Sequence, residues 1–312
     1  MVNFRLKVFR AVAKHLNFRR AAEELFLTQP AVTLQVKTLE QQLGVQIFDR
    51  SGSRISLTPA GAVLLKFADK IDHLESAALE ALSPFSGAPS GKLCIGASLT
   101  IAQYILPRIL GEFQRQHPQI RTHVTTCNTE QVLESLLAHD ISVGFVEGPT
   151  LRRDVRTEVF LEDELVLMAP PAHEWSERGS VDPQELAQER LLMRERGSGT
   201  RRVVEIALQK SGIKAKELNP AMEFDSTEAI ITAVEAGLGV GFASLWSISK
   251  ELQLGTLRAV PIRGVRIPRP LSVAYARGYE PQGIGLTFLE FVRSRRDLSP
   301  QGQPKKRTPS RP

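Results

Sequence analysis

The chain has 312 residues, enough for two or three domains that each bury a core of their own. Its hydrophobic content of 42% and charged content of 24% are those of an ordinary globular protein, and no apolar run approaches a membrane span. The formal charge of +6 is unevenly spread: residues 1–60 hold nine Lys and Arg against four Asp and Glu, residues 293–312 hold seven against one, and the stretch between is net acidic. Basicity at the first end suits a polyanion partner. The chain opens on an amphipathic helix carrying Leu6, Phe9, Ala13 and Leu16, without the apolar core or cleavage pattern of a signal peptide, so a cytoplasmic location is expected.

A second helix is expected over Phe18 to Leu25, with Ala21, Ala22 and Leu25 as small packing residues and Arg19 and Arg20 at its N-terminal end, where phosphate is a natural ligand. A third follows after a short turn. Thr28 or Gln29 caps it, Pro30 suits its first turn, and Val32, Val36, Leu39 and Leu43 form one apolar stripe. The opposite face is left to Gln29, Thr33 and Lys37, flanked by Pro30 and Leu34. Amide and hydroxyl side chains on such a face read base edges in the major groove, and the lysine meets phosphate or guanine. Phe48 to Leu57 then forms a small β-ribbon around a Gly-containing turn, with Arg50 and Arg54 placed to reach the sugar-phosphate backbone or minor groove.

Here the chain resembles the LysR-type transcriptional regulators. The resemblance rests on Ala21-Ala22-Glu23-Glu24-Leu25, Thr28-Gln29-Pro30-Ala31-Val32-Thr33, Leu39-Glu40, Leu43-Gly44, Phe48-Asp49-Arg50 and Leu57-Thr58-Pro59-Ala60-Gly61, and it extends over nearly the whole chain. Leu34 stands where a polar residue is more usual, which allows apolar contact with a thymine methyl, and Arg19 stands where a hydroxyl residue is common. The resemblance implies a winged helix-turn-helix over 1–58, a dimerising linker helix over 59–83, and a two-lobed α/β effector domain like the type 2 periplasmic binding proteins.

The linker reading also stands on spacing. Thr58 caps and Pro59 starts a helix in which Leu64, Phe67, Ile71, Leu74, Ala78 and Ala81 recur every three or four residues over nearly three heptads. That seam packs either on the chain's own first helix or on a second subunit, and a homodimer, assembling further to a homotetramer, is expected. A twofold pair of winged helices would read a pseudo-palindrome in promoter DNA. Residues 84–91 read as a hinge.

From Lys92 short apolar runs alternate with amphipathic helices, which predicts βαβ units on a mainly parallel sheet. Lobe I is expected over 92–162 and 267–296 and lobe II over 163–266, joined by crossovers near Glu162–Asp163 and Gly264–Pro268. Ligands of open α/β sheets sit beyond the carboxyl ends of strands. The candidate effector contacts there are Ser98, Leu99 and Thr100 after the first strand, Thr126, Asn128 and Thr129 after the second, and Phe145 and Glu147 around the third. The turn Arg196-Gly197-Ser198-Gly199-Thr200-Arg201 opens a helix whose N–H groups and hydroxyls suit an anion, with Arg196 or Arg201 completing a clamp. Ser226 begins a further strand-to-helix turn, although the neighbouring Asp225 opposes an anion unless turned away. The loop is similar to that of LysR-type subgroups governing carbon fixation and sulfur assimilation, so the expected effector is a small anionic metabolite, with RNA polymerase a further partner.

Other classes find less support. Six histidines show no metal-ligand spacing, there is no GxSxG turn, and Gly237 to Gly241 lacks the order of a dinucleotide fingerprint, so neither catalysis nor a metal or organic cofactor is expected. Cys94 and Cys127 read as buried thiols, with a redox pair the alternative. The remaining alternatives are a constitutive DNA-binding regulator, or a small-molecule binding protein or enzyme with an accessory helix-turn-helix. The tail over 297–312, with Lys305-Lys306-Arg307, lacks the hydrophobic content to fold and is expected to be disordered.

Overall fold

The computed structural model describes residues 2–51, 55–82, 91–214, 218 and 220–295. Arg54, nearly all of the expected hinge, and the basic tail lie outside the described residues. Two compact units divide the chain, Met1–Phe85 and Ser86–Pro312.

The first unit packs α1 (Val2–His15), α2 (Phe18–Glu24) and α3 (Gln29–Leu43) around Phe9, Val12, Phe18, Ala21, Val32, Val36 and Leu39. The Asn17 side chain accepts from the N–H groups of Arg19 and Arg20, and Thr28 accepts from that of Ala31, so both helices of the hairpin begin on a side-chain cap. Leu43 and Leu16 were expected in the core; they lie at helix ends and are 43% and 46% exposed. β1 (Phe48–Asp49) and β2 (Ser56–Leu57) form the ribbon, with Phe48 opposite Leu57. Glu40 reaches over from α3 to accept from the Ile47 and Phe48 N–H groups and from Arg50, which pins the ribbon to α3.

α4 (Pro59–Leu82) starts where the Thr58 hydroxyl accepts from Gly61 N and donates to Gln46 O. Gly61 is required there, because a Cβ would lie 2.0 Å from the Ile47 carbonyl oxygen. The helix has two apolar faces, of which one packs on the chain's own first helix and the other is exposed. Leu64, Leu65 and Ala68 join the core of the first unit, while ion pairs Arg10–Asp69, Arg10–Asp72 and Lys7–Glu75 hold that side against α1. Val63, Phe67, Ile71 and Leu74 on the other side are 42–58% exposed, and Ala78 is exposed with them. Leu64 therefore belongs to the intramolecular face, not to a seam that needs a partner.

The second unit is built on one nine-stranded sheet among the described residues, ordered β4-β3-β5-β11-β6-β9-β7-β8, with β10 also on β6. Lobe I contributes β3 (Gly91–Ala97), β4 (Ile120–Thr126) and β5 (Val143–Glu147), all parallel, with α5 (Leu106–Gln116), α6 (Thr129–Leu137) and α11 (Gly283–Arg293). A single π-helical stretch, Ile101–Ile105, leads into α5. Lobe II contributes β7 (Leu191–Arg194), β8 (Met222–Phe224) and β9 (Val240–Ser244), also parallel, with α8 (Gly199–Lys210) and α9 (Thr227–Glu235). Short elements complete lobe II: α7 (Glu174–Arg178), a 3-10 turn over Pro183–Ala187, α10 (Ser249–Leu254) and β10 (Arg258–Val260).

The expected mainly parallel sheet is corrected at the middle. β6 (Val155–Ala169) and β11 (Ile267–Ala276) run antiparallel to one another along ten paired positions, and β11 is also antiparallel to β5 and β6 to β9. The two crossovers are therefore continuous extended strands, not loops. Crossing as a paired ladder satisfies the backbone N–H and C=O groups at the lobe junction, which a loop buried there would leave open.

Cys94 and Cys127 do not form the alternative redox pair. Cys94 faces His123 across β3 and β4, and Cys127 lies four residues further along, about 13 Å at the usual strand rise. A disulfide needs Cα atoms within about 7 Å. Both thiols are free, and burial pushes that of Cys127 up.

Phe26, in the turn between α2 and α3, is 96% exposed with φ of 54°, a left-handed conformation unfavourable to a bulky side chain. Phe26→Asn is expected to stabilise the first unit by about 1 kcal/mol, read as a higher melting temperature. No gain would mean that the turn relaxes to suit the aromatic residue.

Candidate functional site

On the first unit, Gln29, Pro30, Leu34 and Lys37 are exposed along one side of α3, Thr28 is exposed at its cap, and Thr33 is half-buried with its hydroxyl donating to Gln29 O. The side chains of Gln29, Leu34 and Lys37 are thus available on that face, as a reading head requires. A groove of about 870 Å³ lined by Thr33, Lys37, Glu40, Gly44, Arg50 and Ser51 joins the helix to the ribbon in one concave surface. Arg20 is exposed, and Arg19 is exposed but bonded to Glu23 one turn on. Arg50 differs from the expectation of a free backbone contact: it pairs with Glu40 and stacks over the Phe18 ring, 4.9 Å from its centre. Its first role is to hold the ribbon, with part of the guanidinium left exposed.

On the second unit β4, β7 and β8 lead into α6, α8 and α9, and the carboxyl ends of β3 and β5 lie with that of β4 in the same parallel set. Those helices are capped by Asn128, Ser198 and Ser226, whose side chains accept from Gln131 N, Arg201 N and Ala229 N. The two lobes meet closely here. A Cβ on Gly199 would lie 2.1 Å from the Glu147 carbonyl oxygen, so only glycine lets α8 of lobe II approach β5 of lobe I this far. Glu130 N donates to Gly197 O, and Thr129 bonds the Glu147 backbone. At the other side of the cleft, Tyr104 of lobe I donates to Glu228 at the start of α9, and burial together with that carboxylate pushes the phenol up.

At the bottom of the cleft lies a charged cluster whose Arg269 and Asp163 sequence reading missed as site residues. Arg269 is fully buried on β11, directly opposite Asp163 on β6. Its Nε and Nη2 donate to Asp163 Oδ2 at 2.9 and 2.5 Å, Nη2 also to Thr100 Oγ1 at 3.2 Å, and Nη1 to Thr200 Oγ1 at 2.7 Å and to Glu147. A guanidinium has five N–H donors, and all five are engaged. Glu147 in turn accepts from Thr100 N at 2.9 Å and from the Thr200 hydroxyl at 3.1 Å, and Asp163 accepts from Ser244 at 2.8 Å. Burial alone would raise the Glu147 pKa, but the charge of Arg269 and hydrogen bonding outweigh it and hold this carboxyl below the usual range; the two carboxylates likewise push Arg269 up.

The expected effector residues therefore separate. Thr100, Glu147 and Thr200 come together, yet around Arg269 and almost wholly buried; Ser98 is buried beside them. Leu99, Asn128 and Ser226 are half-buried and Thr126 exposed. Phe145 is corrected outright: its ring is fully buried in the lobe I core against Phe160 and Phe288. Arg201 is corrected as the clamp, since it bonds Glu205, Glu223 and the Arg194 carbonyl. Arg194, also missed, is buried and bonded to Glu195, Thr227 and the Asp225 carbonyl. Arg196 is exposed and has no carboxylate partner among the described residues. The signal for Arg269 was an arginine between two prolines at the head of an apolar run, Ile267 to Ala276, which reads as a loop.

A winged helix-turn-helix followed by a two-lobed α/β domain defines a DNA-binding regulator with a ligand-binding type of domain. The family models of the bacterial regulatory helix-turn-helix protein, lysR family, and of the LysR substrate binding domain match residues 4–62 and 86–297. The chain belongs to the LysR family of transcriptional regulators. It is 35% identical over 271 residues to a probable RuBisCO transcriptional regulator of Guillardia theta, covering 86% of this chain and 87% of that one. Similar solved structures include full-length CbnR complexed with target DNA, with 25% identity, TM-score 0.66 and coverage of 94% and 99%, and the CcmR regulatory domain of Synechocystis PCC6803 in complex with 2-PG, with 27%, 0.60, and 66% and 97%.

Replacing Arg269 by Met leaves Glu147 and Asp163 buried without a counter-charge, which is expected to cost about 3–5 kcal/mol at neutral pH. The pH dependence also changes sign. In the native protein the depressed Glu147 contributes stability above its unfolded pKa of about 4.3, lost as pH falls through the folded value. In the variant the burial that raises Glu147 is no longer outweighed by Arg269, so stability should rise between pH 7 and pH 5; urea melts at the two pH values measure it.

Proposed function

We propose that the chain binds promoter DNA as a homodimer and is switched by a small anionic metabolite held at the Arg196 loop. Gln29, Thr33, Leu34 and Lys37 contact bases and phosphates, and the Val63, Phe67, Ile71 and Leu74 face of α4 meets its counterpart in a second subunit. The reading of the effector rests on one observation. Of the four arginines at 194, 196, 201 and 269, three are bonded to carboxylates and Arg196 alone has none among the described residues. An anion arriving at the start of α8 meets that guanidinium together with the helix dipole. The CcmR relative bound to 2-PG and the RuBisCO-regulator relatives support phosphorylated or carboxylated metabolites of carbon fixation as the ligand class.

In this reading the protein works in the cytoplasm, is not an enzyme, and needs no metal or cofactor. Binding of the anion at the Arg196 loop alters the spacing of the paired winged helices along DNA, dimers assemble to tetramers, and RNA polymerase is the downstream partner. Among the described residues no helix is long and apolar enough to cross a membrane.

Footprinting of the upstream promoter with and without 2-phosphoglycolate and related acids tests the switch. The protected pattern should change, and Arg196→Ala should abolish the change while leaving basal binding intact. A pattern indifferent to every such acid would make the protein a constitutive regulator. Lys37→Ala should weaken DNA binding and lower the salt slope by about 1. Ile71→Glu with Leu74→Glu should yield monomers by light scattering; dimers persisting in that variant would remove α4 as the interface.

A further inference from the structure

Glu147 has the contacts expected of a bound ligand, not of a binding residue. Its carboxylate accepts from Thr100 N at the turn after β3, in lobe I, and from the Thr200 hydroxyl in the first turn of α8, in lobe II. It also accepts from the guanidinium of Arg269, on the strand pair joining the lobes. A backbone N–H, a helix-start hydroxyl and an arginine, drawn from three parts of the domain, are a receptor for a carboxylate. Glu147 itself extends from the end of β5, and its carboxylate is shut off from solvent, with 3% of the side chain exposed.

We propose that Glu147 is a tethered surrogate for an effector carboxylate, holding the two lobes closed before any metabolite binds. The guanidinium has no donor left for an incoming anion, so a free metabolite does not reach the cluster while Glu147 occupies it. Thr200 is in the same position. Its proton goes to Glu147 and it accepts from Arg269, which leaves no hydroxyl donor to offer. The surrogate is independent of the reading of Arg196, because it concerns a different carboxylate receptor and predicts behaviour without any metabolite.

Chemical rescue tests it. In the full chain, Glu147→Ala removes the carboxylate and leaves the N–H, the hydroxyl and the guanidinium around the space it filled. The variant should melt lower than the native protein. Sodium acetate at 100 mM should then raise its melting temperature by about 3 °C over an equal concentration of sodium chloride, with formate acting similarly and benzoate not. The native protein should show no such difference from chloride at the cluster. An acetate response equal in the two proteins reports only binding elsewhere, as at Arg196, and overturns the proposal. So does a variant that ignores acetate.

If Glu147→Ala does not fold, Thr200→Val reads the same bridge with a side chain of the same shape. Losing the lobe II partner of Glu147 should speed hydrogen exchange near the start of α8, at Val203 and Val204, by at least tenfold, while the lobe I core around Phe113 keeps its protection. Unchanged exchange at α8 overturns the proposal.

Discussion

The second unit depends on a buried guanidinium shared by its parts. Arg269 sits on one connecting strand, faces Asp163 on the other, and reaches Glu147 and Thr100 in lobe I and Thr200 in lobe II. Two carboxylates and one arginine are held out of water together, a state made tolerable by hydrogen bonds that engage every donor of the arginine and reach both carboxylates from Thr100, Thr200 and Ser244. That requirement is geometrical. The β6–β11 ladder must keep its register so that position 269 faces position 163, and α8 must approach β5 closely enough for Thr200 to reach Glu147.

The glycine at 199 is the steric side of the same constraint. A methyl group there would overlap the backbone of Glu147, so the charged cluster and the close lobe contact stand or fall together. The cluster also divides the arginines by task. Arg269 and Arg194 are held as structure, Arg201 ties α8 to β8 through Glu223, and Arg196 keeps its guanidinium in solvent.

The DNA-binding unit follows a comparable logic with a smaller cluster. Glu40 serves two backbone N–H groups and Arg50 together, so the recognition helix and ribbon share one anchoring carboxylate. This gives a physical account of the Leu39-Glu40 and Phe48-Asp49-Arg50 segments: the leucine enters the core, the glutamate fastens the ribbon, and the phenylalanine closes the core from the other side. The linker helix divides its apolar residues between α1 and an exposed face, a division that a heptad pattern alone does not make.

Much of the architecture was legible from local pattern. Caps at Thr28 and Thr58, the stripe Val32, Val36 and Leu39, and the strand-to-helix turns at Ser98, Asn128, Ser198 and Ser226 are short-range features, each set by residues within four positions of one another. What local pattern misjudged lay at element ends or across long separations. Leu43 and Leu16 escape burial because a helix end has no neighbour above it, and Phe145 turns into the core because strand alternation does not say which face carries the cleft. Arg269 and Glu147 are 122 residues apart, and the antiparallel ladder that brings them together comes from tertiary pairing. By itself the sequence determined the family, the reading helix and the helix starts, since these depend on periodicity and capping. Tertiary structure alone decided which carboxylates neutralise which arginines, because electrostatic pairing in a buried cleft depends on distance in space and not along the chain.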